Sequence, residues 1–317
     1  MTSLEAVEAY LAARRALGVR LDRSGRHLYQ FVRESGNVPL CDITPGAVER
    51  FLRGRGAPTA TWRTKRAALA GLYRYALAHD LVTVSPLPAR LPKLLPPQTP
   101  YVYSTGELQR LLTATGVLEH PASPLQAMTY RTLLLLLYGT GLRVSEAISL
   151  TVSDVDLRRR LVTVRNTKFY KARLVPIGPR LTRYLSAYLC RRRLLALPEA
   201  EGSAFLCTRT GHGLLYQEIS TTFQRIRSAA GITCPPGEPR PPRLHDLRHT
   251  AAVHRVLAWY RAGRNVQQLL PRLATYLGHV DIRSTQCYLQ MTPELMQEAS
   301  RRFARYARQE VPYDRPQ

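Results

Sequence analysis

Three segments of the chain gather side chains that can handle a phosphate. They are Gly139-Thr-Gly-Leu-Arg-Val-Ser-Glu146, Leu244-His-Asp-Leu-Arg-His-Thr250, and Leu277-Gly-His279 with Tyr288 nine residues later. Arg143 and Arg248 each offer a planar fork of donors that stays charged, a shape matched to phosphate oxygens. His245 precedes Arg248 by three residues, a spacing that puts both on one helix face. Histidine is also the side chain that exchanges a proton near neutral pH. His249 is four residues from His245, so spacing alone leaves it on that face; it reads as a core or capping histidine. Asp246 points elsewhere and reads as a support. A tyrosine such as Tyr288 is a weak nucleophile at its ordinary pKa near ~10, but surrounding positive charge stabilises the phenolate. Cys287 beside it is the better free nucleophile, yet neighbouring side chains on a helix diverge by about 100°, so both cannot face one phosphate. A phosphodiester under attack becomes a pentacoordinate anion, and this set could neutralise it without a metal.

These side chains need elements to hold them. Gly139 and Gly141 favour a tight turn that presents Arg143 at a helix start, with Glu146 three residues on as a support rather than a reactant. Before the turn, residues 125–138 form a strongly apolar helix. After it, residues 161–164 and 173–177 are β-prone and predict a small hairpin, with Lys168 and Lys171 in the segment between them. Further helices are expected near Thr182, Gln217, Asp246, Gln267, Ser284 and Pro293. The stretch from Pro293 to Tyr306 carries Leu295, Met296, Ala299 and Phe303 as an apolar stripe.

The N-terminal region reads as short helices. Leu4, Val7, Leu11 and Ala12 recur at helical spacing, Thr44-Pro45 opens another helix, and Thr59 starts a longer one through Leu69, Leu72, Tyr75 and Ala76. A proline-rich stretch over 86–100 cannot sustain a helix and marks a semi-rigid spacer. The expected organisation is therefore a helical domain over 1–88, a linker over 89–102, and a second domain over 103–317. Ser104 and Glu107 form a capping-box pattern at the start of the latter.

Composition narrows the partner. The 317 residues include 46 Lys and Arg against 22 Asp and Glu, a formal net charge of +24. The excess is shared by both regions, which favours a polyanion such as nucleic acid, because each neutralised phosphate releases a counterion. No apolar run approaches the ~20 residues needed to span a bilayer, and the first ten residues do not read as a signal peptide. Cys41, Cys190, Cys207, Cys234 and Cys287 are an odd set without CxxC spacing. They read as reduced thiols in a cytoplasm, with neither a disulfide framework nor a zinc site. No cofactor is expected.

Taken in order and at their spacing, the three motifs resemble the catalytic core of the tyrosine recombinases, the phage integrase and Xer family. The resemblance covers about residues 104–310, and the N-terminal region looks like that family's helical core-binding domain. It implies a mainly α fold with a small β-sheet or hairpin: a helical core-binding domain followed by an α+β catalytic domain. It implies that Arg143 and Arg248 clamp a scissile phosphate, that His245 moves a proton or contacts the phosphate, and that His279 hydrogen-bonds a non-bridging oxygen. Tyr288 sits at the family's spacing after Leu-Gly-His and is implied as nucleophile, forming a 3′-phosphotyrosyl link. Lys168, eight positions before Pro176, is implied as general acid for the 5′-oxygen, with Lys171 the alternative. The implied partner is double-stranded DNA carrying specific sites, held by a homo-oligomer, a tetramer on two duplexes. A type IB topoisomerase uses a similar residue set, and a non-catalytic DNA-binding protein could keep the fold; these are the rival readings. One spacing departs from the family. Arg248 and His279 are 31 positions apart, longer than in compact Xer-like members, and the excess is expected as a helix–loop connection within 259–272.

Overall fold

The computed structural model describes residues 1–19, 21–54, 58–93, 100–165, 172–195, 197, 200, 202–238 and 240–279, and then 285, 297–298, 300–301 and 304. The chain divides into two compact units, Met1–Gln98 and Thr99–Gln317.

The first unit packs four helices: α1 (Ser3–Ala16), α2 (Asp22–Ser35), α3 (Pro45–Arg53) and α4 (Ala60–Ala78). Local chemistry sets their starts. The Thr2 hydroxyl accepts from Glu5 N–H at 3.3 Å, while the Glu5 carboxylate accepts from Thr2 N–H at 2.8 Å. Thr44 caps α3 ahead of Pro45, which lacks only an N–H that the first turn leaves unbonded. The apolar stripe of α1 runs through Ala6, Val7, Tyr10 and Leu11, while Ala12 is exposed. It joins Leu28, Phe31, Val48, Leu69 and Leu72 in one core.

Lys65 is buried in this core. Its Nζ donates to the Phe51 carbonyl at 2.8 Å and lies 4.1 Å from the centre of the Phe51 ring. The ammonium thus satisfies one of the carbonyls that the end of α3 leaves without a helical partner. Lys65→Met keeps the stem but removes that donor, and is expected to cost about 1–3 kcal/mol. Urea denaturation of the full chain checks this; an unchanged midpoint would show that the carbonyl finds another donor.

The second unit is built around α6 (Gln126–Thr140), whose Leu133, Leu134, Leu136 and Leu137 are all buried. A helix apolar on every side belongs inside a core. Around it lie α5 (Thr105–Ala114), α7 (Val144–Ile148), α8 (Pro179–Arg193), α9 (Tyr216–Ala229), α10 (Asp246–Arg261) and α11 (Val266–Leu277). The sheet is antiparallel in the order β1 (Val155–Asp156), β2 (Leu161–Val164), β3 (Arg173–Pro176). Val162 pairs with Val175, both buried, and Leu161 pairs with Pro176. Proline is tolerated there because β3 is an edge strand among the described residues. The fold is mainly helical with one small sheet, as the sequence implied, and β1 is a strand beyond the expected hairpin.

The long interval between Arg248 and His279 is a helix, a short turn and a second helix, in keeping with the expected helix–loop connection. Helix α10 runs to Arg261, α11 starts at Val266, and only residues 262–265 turn between them. Gly263 takes the left-handed φ of +67°, and the Asn265 side chain caps α11 by accepting from Gln268 N–H. The extra residues lengthen a helical hairpin, whose Val253, Val256 and Leu257 pack against Val266, Leu270 and Leu273. No helix among the described residues is long and apolar enough to cross a membrane.

Candidate active site

The site begins where α6 stops. Gly141 ends that helix in the left-handed region at φ +63°, and a Cβ there would lie 2.5 Å from a Leu277 methyl. Only glycine suits both conditions. The chain then turns extended through Arg143, the residue before the first turn of α7. Glu146 reaches back to this point, its Oε2 accepting from Arg143 N–H at 2.9 Å and its Oε1 from Arg143 Nη1 at 2.8 Å. Arg143 Nη2 donates to the Gly278 carbonyl at 3.1 Å, and its side chain keeps 37% exposure.

Helix α10 supplies the second arginine. Buried Asp246 accepts from Arg243 N–H at 2.7 Å and from its Nη2 at 3.0 Å, which fixes the turn leading into α10 and places His245 at its start. Arg248, one turn on, is 2% exposed. Its Nη1 donates to the Gly141 carbonyl and its Nη2 to the Leu277 carbonyl at 2.7 Å. His249 lies edge-on to His245, with ring centres 4.9 Å apart.

Helix α11 ends at Leu277 with Gly278 in the left-handed region, and His279 follows. Its Nδ1 hydrogen-bonds the Thr285 hydroxyl at 2.7 Å, and Thr285 is fully buried. This bond sets the orientation of the ring. Tyr276 serves structure: it is half-buried and its hydroxyl donates to the Pro176 carbonyl at 3.2 Å.

Of the six residues singled out from sequence, Arg143 and Arg248 bond carbonyls of the turn that carries His279, and His245 lies at the start of α10, three residues before Arg248. Lys168 and Tyr288 lie outside the described residues, as do Lys171 and Cys287. Two further residues enter the site. Arg173 donates to both oxygens of Glu146 at 3.0 and 2.8 Å, and Thr285 orients His279. The only sequence signal for Arg173 was its place at the head of the second hairpin strand; Thr285 had none beyond lying between His279 and Tyr288.

Electrostatics follow from this packing. Burial opposes ionisation of Glu146, but hydrogen bonds from Arg173 and Arg143 outweigh it and bring the pKa down to about 2. Burial also lowers the pKa of His245, with Arg248 adding to the effect. Burial pushes His249 down to about 4, reinforced by His245, and His279 down to about 4, reinforced by Arg248 and Arg143. Both imidazoles are therefore neutral at physiological pH, able to donate a hydrogen bond without adding charge. Their linkage to folding has a definite sign. An unfolded chain protonates these histidines near 6.5, the folded chain only near 4, so stability is full above 6.5 and falls between 6.5 and 4. Glu146 adds a further loss below 4.5, as the pH nears its folded value. Melting temperatures should drop from about pH 7 to about pH 5, and less so in His249→Gln. A flat profile would contradict the shifts.

Among the described residues no three His, Cys, Asp or Glu side chains group as a metal site. The arrangement is a cluster of arginines with neutral histidines beside it, suited to an anionic transition state.

Comparison with known proteins agrees with this chemistry. The model of the phage integrase family matches residues 105–294. The chain is 36% identical over 310 residues to a putative integrase/recombinase, y4rB, of Sinorhizobium fredii, covering 96% of this chain and 98% of that protein. It is 32% identical over 306 residues to the tyrosine recombinase XerD of Mycobacterium tuberculosis, covering 92% of each. Among solved structures, a lambda integrase tetramer bound to a Holliday junction aligns with TM-score 0.69 at 17% identity, covering 100% of this chain and 80% of that one. At that identity the likeness speaks for the fold.

Proposed function

Because the chain belongs to the phage integrase family of tyrosine recombinases, we propose that it cuts and rejoins DNA at specific sites through a covalent link to Tyr288. The observation that carries the assignment is the meeting of Arg143, Arg248 and His279 at one helix end, where all three can serve one phosphate. The Tyr288 oxygen attacks phosphorus, the bond to the 5′-oxygen breaks, and a 3′-phosphotyrosyl enzyme and a free 5′-hydroxyl remain. Arg143 and Arg248 neutralise the charge gathering on the non-bridging oxygens, and neutral His279 donates to one of them. His245, with its lowered pKa, takes the phenolic proton. Lys168 gives a proton to the departing 5′-oxygen, a step open to an ammonium and closed to a guanidinium. A 5′-hydroxyl of another strand then reverses these steps, so the bond is kept without ATP.

The test is to trap the intermediate. Duplex DNA from the junctions flanking the gene is incubated with the protein, and adducts are isolated under denaturing conditions. The expected product is a peptide containing Tyr288 on a 3′-phosphate, with strand exchange between two duplexes. Relaxation of supercoils without a preferred site would favour a topoisomerase, and binding without adducts would leave only a DNA-binding protein.

The first unit acts as the core-binding domain in this reading, and exposed Arg23, Arg26, Arg50, Arg53, Arg63 and Arg74 supply it with phosphate contacts. Exchange needs two duplexes and hence four protomers, working in the cytoplasm. A cleft of about 360 Å³ between α6, α10 and α11, lined by Trp259, Leu269, Leu273 and Tyr276 with Arg255 and Arg272, supports docking of the apolar stripe over 293–306 from a neighbouring copy. Deleting 293–317 is expected to abolish assembly on DNA, whereas deleting 311–317 leaves it intact. Unchanged complexes after the longer deletion, by native gel, would sink this assembly.

A further inference from the structure

Arg173 opens β3 and has no place in the reaction as set out above, yet its side chain is only 13% exposed. Its Nη1 and Nη2 donate in parallel to the two oxygens of Glu146, and its Nε donates to the Tyr276 carbonyl at 3.3 Å. The same Glu146 holds Arg143. Three arginines therefore take three consecutive carbonyls at the end of α11: Arg173 that of Tyr276, Arg248 that of Leu277, and Arg143 that of Gly278. Helix C-terminal carbonyls lack helical partners and carry partial negative charge, so cations collect there. Arg173 is also packed tightly onto the turn. A Cβ on Gly278 would fall 2.7 Å from its Nη1, at a φ of +69° that already favours glycine.

Exposure separates Arg173 from Arg143, whose side chain keeps 37% against 13%. Both Nη atoms of Arg173 are bonded to Glu146 and its Nε to backbone. A buried ion pair is a weak source of stability, since desolvation consumes most of the Coulombic gain. What this pair does supply is geometry, because the Glu146 oxygen that accepts from Arg173 Nη1 also accepts from Arg143 Nη1. We propose that Arg173 is a positioning residue for DNA cleavage. It holds Glu146 ionised and oriented so that Arg143 is presented to the scissile phosphate, and it fixes the 276–278 backbone that carries His279. This rests on the reading that Arg143 neutralises that phosphate.

The test uses substrate chemistry that a loss of folding would not imitate. Full-length wild type, Arg173→Lys and Glu146→Gln are compared in single-turnover cleavage of a duplex bearing the mapped site. One version carries the natural phosphodiester; in the other a methylphosphonate replaces one charged non-bridging oxygen by a methyl group. On the phosphodiester, Arg173→Lys is expected to cleave about 100-fold more slowly, the scale of one lost transition-state donor, with DNA affinity within about threefold. On the methylphosphonate the charge handled by Arg143 is gone, and the variant should come within about threefold of wild type. Glu146→Gln should show the same rescue, which covers the case in which Arg173→Lys folds poorly. An undiminished phosphodiester rate, or an equal deficit on both substrates, overturns the positioning role while the enzyme assignment stands. Absence of cleavage by wild type overturns that assignment and this role with it.

Discussion

Tyr288→Phe is expected to abolish covalent protein–DNA adducts, a loss of at least about 10³-fold, while DNA affinity stays within a few fold. The substitution deletes one oxygen. No other atom of the side chain changes, so packing and the positive charge that draws DNA are kept. Binding rests on the basic excess of both units, a net +24 that one phenol does not alter. In the proposed mechanism chemistry rests on the phenolate, which the positive charge of Arg143 and Arg248 would stabilise. Cys287 is the obvious substitute nucleophile, but a side chain one position away on a helix points about 100° off. The experiment compares adduct yield on denaturing gels with affinity from a mobility shift. Adducts persisting in Tyr288→Phe would refute the nucleophile assignment, and Tyr288→Phe combined with Cys287→Ser would then show whether the thiol had attacked.

Why Arg143, His245, Arg248 and His279 stand out in the sequence is a matter of range. His245 and Arg248 are one helical turn apart, Arg143 and Glu146 form the start of a short helix, and His279 follows a glycine that stops another. Each is a local pattern with a local cause. Arg173 meets Glu146 across 27 residues, and the acceptors that gather the three arginines are backbone carbonyls, which every residue has. Nothing in the letters marks those contacts, and the same holds for Thr285 under His279. The fold shows the same division. Residues 161–164 and 173–177 are β-prone enough to show a hairpin, but β1 is two residues long and pairs only because Val155 and Asp156 lie beside Val162 and Leu161. The stretch after Trp259 reads as a helix–loop connection, with a further helix near Gln267. In the fold Gly263 occupies a four-residue turn and Pro271 sits inside α11, whose Val266, Leu270 and Leu273 face α10 and outweigh the lost backbone bond.

Arg248→Lys is expected to slow single-turnover cleavage by about 10²–10³-fold and to lower the melting temperature, although the charge is conserved. The reason is the number and direction of donors. Arg248 is 2% exposed and spans two carbonyls from separate segments, Gly141 at the end of α6 and Leu277 at the end of α11. Those segments carry Arg143 and His279, so in the proposed mechanism the guanidinium sets the distance between two other reacting groups besides addressing the phosphate. An ammonium is a single tetrahedral nitrogen. It can bond one carbonyl and approach a phosphate oxygen, or bond both carbonyls and withdraw from the phosphate, but it cannot hold a planar fork to all three. A buried carbonyl left without a donor costs about 1–3 kcal/mol, which accounts for the expected fall in melting temperature. Because net charge is unchanged, DNA affinity should stay close to wild type, which isolates fork geometry from electrostatic attraction. Cleavage rates at saturating protein, thermal melts and mobility shifts on the same preparation decide it. An Arg248→Lys enzyme cleaving within about threefold of wild type would mean that charge alone suffices at this position, and that the links to Gly141 and Leu277 do not set the site.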